Sequence, residues 1–208
     1  MDDVIAKIEP GMTELQVRGI ACESIYRNGG EDEAYPIWIT TGKGGNQAIS
    51  RARHKVIEKN DAVFLQIGAR YEGYASSIGR TVFFGEGHDE MINAVKAAYA
   101  GHDVLQEQLY AGNNAKNVAD AYYDCIRKKG FGDWIMYGPC HGNGLMEGEP
   151  PWIESDSDYI LEENMTYCAC LFLHNNETEM GLRVEDTMRV GKERAEVMTN
   201  YPKEIFRK

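Results

Sequence analysis

A duplication constrains this chain more than any other feature. "GMTELQVRGIACESIYRNGG" starts a helix with Thr13 as its N-cap, Gln16 as the reciprocal capping-box partner and Gly29-Gly30 as its stop. "GNNAKNVADAYYDCIRKKG" repeats the plan, with Asn114 as the cap and Gly130 as the stop. Val17, Ile20, Ala21, Ser24 and Ile25 trace one apolar face; Val118, Ala121, Tyr122, Cys125 and Ile126 trace its counterpart. Gly11 matches Gly112, Val17 matches Val118, Ile25 matches Ile126 and Gly29 matches Gly130, all at one constant offset. Four agreements in register, with caps that also agree, indicate an internal repeat.

The remainder of each half supports this. β-Rich runs follow the first helix ("YPIWITTG", "AVFLQIGARYEGY", "SIGRTVFFG") and the second ("WIMYGPC", "NMTYCACLFLH", "GLRVEDTMRVG"). The chain is therefore expected to be one α+β domain, residues 1–208, built of two pseudo-symmetric halves of helix plus antiparallel strands. The second half has an additional helix, about Asp89 to Tyr110, striped by Ile92, Val95, Ala98, His102, Leu105 and Leu109. Its counterpart in the first half is only "DDVIAKIE". We expect the chain to begin within that helix, about three turns in, as a fragment or shortened relative of a longer protein. The stripe at Val4, Ile5 and Ile8 would then be bare, which predicts self-association, most simply a homodimer.

Composition removes several functions. A net charge of −11 with no basic stripe argues against nucleic acid. No apolar run approaches the roughly 18 residues of a membrane helix. The opening "MDDVIAKIEPG" lacks a basic start followed by an apolar run, and the five cysteines form no CxxC pair, so a cytoplasmic protein with free thiols is expected.

"IEPGMTE", a strand-turn-strand ending "GRT", "HGNGL…EPP", "LEENM" and "RVEDT", in that order, resemble the pita-bread family of creatinase, aminopeptidase P, prolidase and methionine aminopeptidase. The resemblance spans nearly the whole chain and implies the pita-bread fold, without the N-terminal domain of the larger members. In the peptidases two Asp, one His and two Glu bind two divalent metals. Motif by motif those positions fall on Gln66, Ser77, His141, Cys170 and Glu185. The family's further substrate-facing His falls on Gly148, with Glu149 in place after it. Creatinase, which hydrolyses a C–N bond without metal, is not matched residue by residue either: its catalytic His falls near Ile49 and its substrate-binding Glu residues on Gly79 and Cys170.

The resemblance therefore implies a hydrolase frame with most metal ligands replaced. Two divalent ions a few ångströms apart need several anionic ligands to offset their repulsion, and Glu185 with His141 does not supply them. No metal and no cofactor is expected, and the leading expectation is a metal-independent, creatinase-like hydrolase of an amide or amidine C–N bond in a small polar substrate. His141 and Glu185 would be catalytic, with Gln66, Ser77, Glu149 and Cys170 binding substrate. The alternative is a non-catalytic binding module taking a metabolite or peptide; an Xaa-Pro-type metallopeptidase is the third reading. Three further possibilities stay open. Cys168 is a packed small residue, and Cys170 is a nucleophile activated by His141 or one ligand of a zinc held with His141 and Glu185. Arg51, Arg53 and His54 form a solvated loop or a carboxylate anchor. Tyr71, Tyr74 and Trp152 are core or pocket walls.

Overall fold

The computed structural model describes residues 1–208. In chain order the first half holds α1 (Asp2–Lys7), α2 (Glu14–Arg27), β1 (Asp32–Glu33), β2 (Trp38–Thr41), β3 (Ala62–Ile67), β4 (Ala69–Tyr71), β5 (Tyr74–Ala75) and β6 (Ile78–Phe83). The second holds α3 (Asp89–Gln108), α4 (Ala115–Lys128), β7 (Cys140–Gly142), β8 (Glu149–Ile153), β9 (Thr166–Asn175) and β10 (Met180–Arg189), followed by the short strands β11 (Glu196–Val197) and β12 (Phe206–Arg207).

The repeat holds down to its backbone angles. Helices α2 and α4 are each 14 residues long and begin and end at matched positions. Thr13 and Gln16 form the reciprocal capping box, and Asn114 accepts from the Lys116 amide. The paired glycines share the left-handed conformation only glycine adopts without cost: Gly11 and Gly112 at φ 98° and 93°, Gly29 and Gly130 at 88° and 86°. Helix α3 buries the whole expected stripe, Ile92 through Leu109.

A large sheet runs in the order β2-β3-β6-β10-β9-β7-β8, and the two halves meet antiparallel where β6 pairs with β10. Alternation along its strands separates two faces. Leu182, Val184 and Met188 of β10, with Ala169, Leu171 and Leu173 of β9, form one core with α3 and α4. Val63, Leu65 and Ile67 of β3 form a second core with Val4, Ile8, Val17, Ala21 and Ile25 of the first-half helices. The intervening residues of the same strands therefore point to the other face, and that face carries the site.

Two expectations need correction. "WIMYGPC" is not a continuous strand: Gly132–Trp134 is a 3-10 turn, Ile135 makes one isolated bridge, and pairing resumes only at Cys140. The stripe expected to be bare is covered by the chain's own fold, with Val4 and Ile8 fully buried and Ile5 half-buried. Lys208 completes that corner by donating its ammonium to the carbonyls of Ile5, Ala6 and Ile8 at 2.8–2.9 Å. The apolar argument for self-association at this surface is thereby removed.

Since the two caps do equivalent work in equivalent helices, Thr13→Ala and Asn114→Ala should each cost about 0.5–2 kcal/mol. In a domain of this size that is a fall of roughly 2–4 °C in melting midpoint per kcal/mol, measurable by calorimetry.

Candidate functional site

The site is laid out along one row of the sheet. Gln66 of β3 pairs with Gly79 of β6, Gly79 with Glu185 of β10, and Glu185 with Cys170 of β9; one step along, Cys168 pairs with His141 of β7. Strand pairing thus gathers Gln66, His141, Cys170 and Glu185, and Ser77, just before β6, joins them through its hydroxyl on Glu185. Gly79 is required at its place in the row. A Cβ there would lie 2.3 Å from Arg183 Cγ and 2.8 Å from Glu185 Cβ.

The floor is buried and closely bonded. Glu185 Oε1 accepts from Gln66 Nε2 at 2.9 Å and from the Ser77 hydroxyl, which also meets Tyr35 Oη at 2.7 Å. Arg183, two residues before Glu185 and on the same face, is fully buried. Its guanidinium donates to Cys170 Sγ at 2.8 Å, to Tyr137 Oη, and to the Ala48 carbonyl at 2.8 Å, with Glu185 Oε2 at 3.5 Å. The cation lies 4.9 Å over the Phe172 ring. Burial opposes the thiolate of Cys170, yet the Cys168 side chain, Arg183 and His141 together hold that thiol well below its ordinary range. Burial and the neighbouring Cys170 push Glu185 in the opposite direction, upward, against the pull of Arg183.

Above the floor opens a cavity of about 250 Å³, walled by Trp38, Tyr137 and Trp152 and by Ile49, His141, Glu147 and Cys170 among others. His141 is fixed in it: Nδ1 lies 3.0 Å from the Gly142 carbonyl and donates to it, which directs Nε2 into the cavity. Nε2 faces Glu147 Oε1 at 3.5 Å, and the ring meets Trp152 edge to face at 5.5 Å. Burial disfavours the imidazolium, but Cys170, Glu147 and the Gly142 carbonyl outweigh it and raise His141 to about 9. Burial raises Glu147 to about 7, with His141 pulling the other way. A larger groove of about 610 Å³ lies beside α1 and α2, away from this row.

Several side chains do other work than expected. Gln66 and Ser77 are buried beneath the cavity and bond to Glu185 instead of facing open space. Glu149 accepts from the Met146 amide at 2.8 Å, which ties down its own loop, and the acidic wall residue is Glu147. Arg53 pairs with fully buried Glu14 at 2.7 Å, whereas Arg51 and His54 are exposed. Of the three aromatic candidates only Trp152 lines the cavity; Tyr71 and Tyr74 are 64% and 63% exposed.

Residues 1–192 match the family model described as metallopeptidase family M24. The chain belongs to that family. Among M24 relatives it is 26% identical, over 98% of its length, to an uncharacterised peptidase of Bacillus subtilis, of which it covers 57%. It is 26% identical over 97% of its length to an Xaa-Pro dipeptidase of Pyrococcus furiosus, covering 58% of it. Among solved structures, an Xaa-Pro dipeptidase from Bacillus anthracis superposes at TM-score 0.95 with 28% identity, matching all of this chain and 58% of that one. An X-Pro aminopeptidase from Thermotoga maritima superposes at 0.93 with 26% identity, covering 99% of this chain and 57% of that one. The fold is the pita-bread fold of these M24 proteins, and the chain spans a little over half the length of the relatives it matches. Its four longer helices and shorter turns include none long and apolar enough to cross a membrane.

Arg183, Tyr137, Tyr35 and Glu147 were missed by sequence reasoning. Arg183 carried a signal, because period-two alternation from Glu185 places it on the same face. Without it, Cys170 and Glu185 would be buried with no guanidinium beside them. Arg183→Ala should therefore cost about 3–5 kcal/mol, and Arg183→Lys should stay below wild type because an ammonium cannot reproduce the fork. Urea unfolding midpoints of both variants measure this.

Proposed function

We propose that this chain hydrolyses an amide- or amidine-type C–N bond in a small polar substrate, with its own side chains moving the protons. The observation that carries this reading is His141: its Nδ1 is tied to the Gly142 carbonyl, so Nε2 is aimed at Glu147 within an aromatic-walled cavity. Above about pH 9, where the ring has lost its second proton, Nε2 takes a proton from water as the oxygen bonds to the substrate carbon. It returns that proton to the leaving nitrogen as the C–N bond breaks. The Gly142 carbonyl holds the ring, Glu147 faces its Nε2, and Glu185, with Gln66, Ser77 and Arg183, forms the fixed floor. Membership of a peptidase family, with Xaa-Pro dipeptidases among its relatives, supports C–N hydrolysis as the reaction class.

The donor set does not fit the pair of divalent ions that the family implies. Gln66 offers its amide hydrogens and Ser77 its hydroxyl to Glu185 Oε1, and the second oxygen lies beside Arg183. A carboxylate engaged in this way, with one imidazole and no further anion from Gln66 or Ser77, does not offset the repulsion of two cations. The cavity wall carries Glu147 and Glu154 and neither Lys nor Arg, which suits neutral or cationic substrates over anionic ones. One observation favours a non-catalytic binding module as second reading: the floor carboxyl Glu185 is engaged within the protein by Gln66, Ser77 and Arg183, leaving His141 and Glu147 to act.

A panel of amides, amidines and short peptides, read first by thermal shift and then by amine release, tests this. With a substrate so found, His141→Ala should lower kcat by about 10²–10⁴-fold while the melting midpoint holds. Activity should survive chelation. Activity that requires two equivalents of manganese or cobalt would overturn the reading, and stabilisation by ligands with no turnover would favour the binding module.

A further inference from the structure

We infer that His141, Glu147 and Cys168 form a binding site for a single borderline-soft divalent cation of the zinc class. Neither Glu147 nor Cys168 stands at a ligand position of the family's paired-metal pattern, so this is a different site that shares one histidine with it. One donor atom from each of the three residues lies within 4.8 Å of the other two. They come from three segments brought together by the sheet: His141 and Cys168 are register partners on β7 and β9, and Glu147 comes over them from the loop before β8.

A second observation points to a ligand independently. Glu147 is only 8% exposed, and its Oε1 has no hydrogen-bond partner although it faces His141. A buried carboxylate oxygen left unpaired is costly, and a cation between it and the imidazole removes that cost. The orientation of His141 fits as well. Metal-bound imidazoles characteristically give their other N–H to a carbonyl or carboxylate, as Nδ1 does here to Gly142. Cys168 is fully buried, while His141 and Glu147 line the cavity, so the fourth coordination position opens to solvent along the same path a substrate would use.

Donor chemistry selects the ion. One thiolate, one imidazole and one carboxylate suit zinc and exclude magnesium and calcium, which take oxygen. Zinc sits about 2.0–2.3 Å from such ligands, so the three donors need draw in by only about an ångström. A zinc bound there takes His141 Nε2, the nitrogen needed by the proposed reaction, and so acts as a brake on it. Binding itself does not depend on that reading and is measured without turnover.

The test uses zinc alone and cobalt alone as probes on the metal-stripped full chain. After zinc loading and desalting, elemental analysis should find near one zinc per chain. Cobalt should give a thiolate-to-metal charge-transfer band with the visible bands of a four-coordinate ion. Cys168→Ser should lose the charge-transfer band, Glu147→Gln should weaken zinc at least about tenfold, and Cys170→Ser and Cys22→Ser should keep the band. Should Cys168→Ser fail to fold, the loop variant Glu147→Gln still decides. A folded wild-type chain with no retained zinc and no band overturns the proposal. So does a band lost in Cys170→Ser and kept in Cys168→Ser. A zinc site present in a chain whose His141→Ala variant keeps full turnover would leave this inference standing and remove the hydrolase reading alone.

Discussion

The centre of this molecule depends on one buried cation. Arg183 is enclosed by Phe64, Phe172 and Tyr137 and reaches Cys170, Tyr137 and the Ala48 carbonyl with its forked donors. Desolvating a guanidinium costs several kcal/mol unless its hydrogens find acceptors. The acceptors it finds come from β9, from the loop before β7 and from the loop after β2, so one side chain connects both halves of the duplicated frame. Its charge also acts on the buried floor, lowering the Cys170 thiol and pulling Glu185 down against the effect of burial.

That arrangement follows from sheet alternation. On β10 the residues Leu182, Val184 and Met188 go to the helices, and Arg183, Glu185 and Thr187 go to the opposite face. Asp186, on the helix side, pairs with Arg80 at 3.1 Å and lies 2.9 Å from His102, so a second buried ion pair anchors the strand from behind. β10 is thus held on both faces by charge, and Gly79 on the adjacent strand leaves the space that Arg183 needs. The absent side chain at Gly79 is as much a part of the site as the side chains present.

How much of this could be read from the sequence depends on how local each signal is. The capped helices and the long stripe of α3 were legible because helix periodicity and capping are contained within a few residues. Motif order pointed to Gln66, Ser77, His141, Cys170 and Glu185; pairing aligns Gln66, Glu185 and Cys170 in one row, with His141 beside it and Ser77 just before β6. "WIMYGPC" misled because its apolar residues Trp134 and Ile135 serve packing against the core beneath α3 and α4, not a continuous strand. Contacts across the sheet, such as Arg183 with Tyr137 or Gln66 with Glu185, join residues far apart in sequence and leave no local trace.

Glu149 and Glu147 show where reading by position fails. Both lie in "LMEGEPP", two residues apart, and motif order pointed to Glu149. The ladder between β7 and β8 changes register between His141 and Gly142, so the loop that joins them is not a regular hairpin. Within it Glu149 bonds back to Met146, fixing the loop, and that closure turns Glu147 inward over His141. Gly148, standing where the family has a histidine, leaves open the space beside Trp152, the nearest side chain at 3.9 Å from where its Cβ would be. A family motif is thereby kept in outline while the acidic group facing the histidine comes from a different residue. The chemistry of the cavity follows Glu147 and its partners, and only the loop that presents them follows the motif.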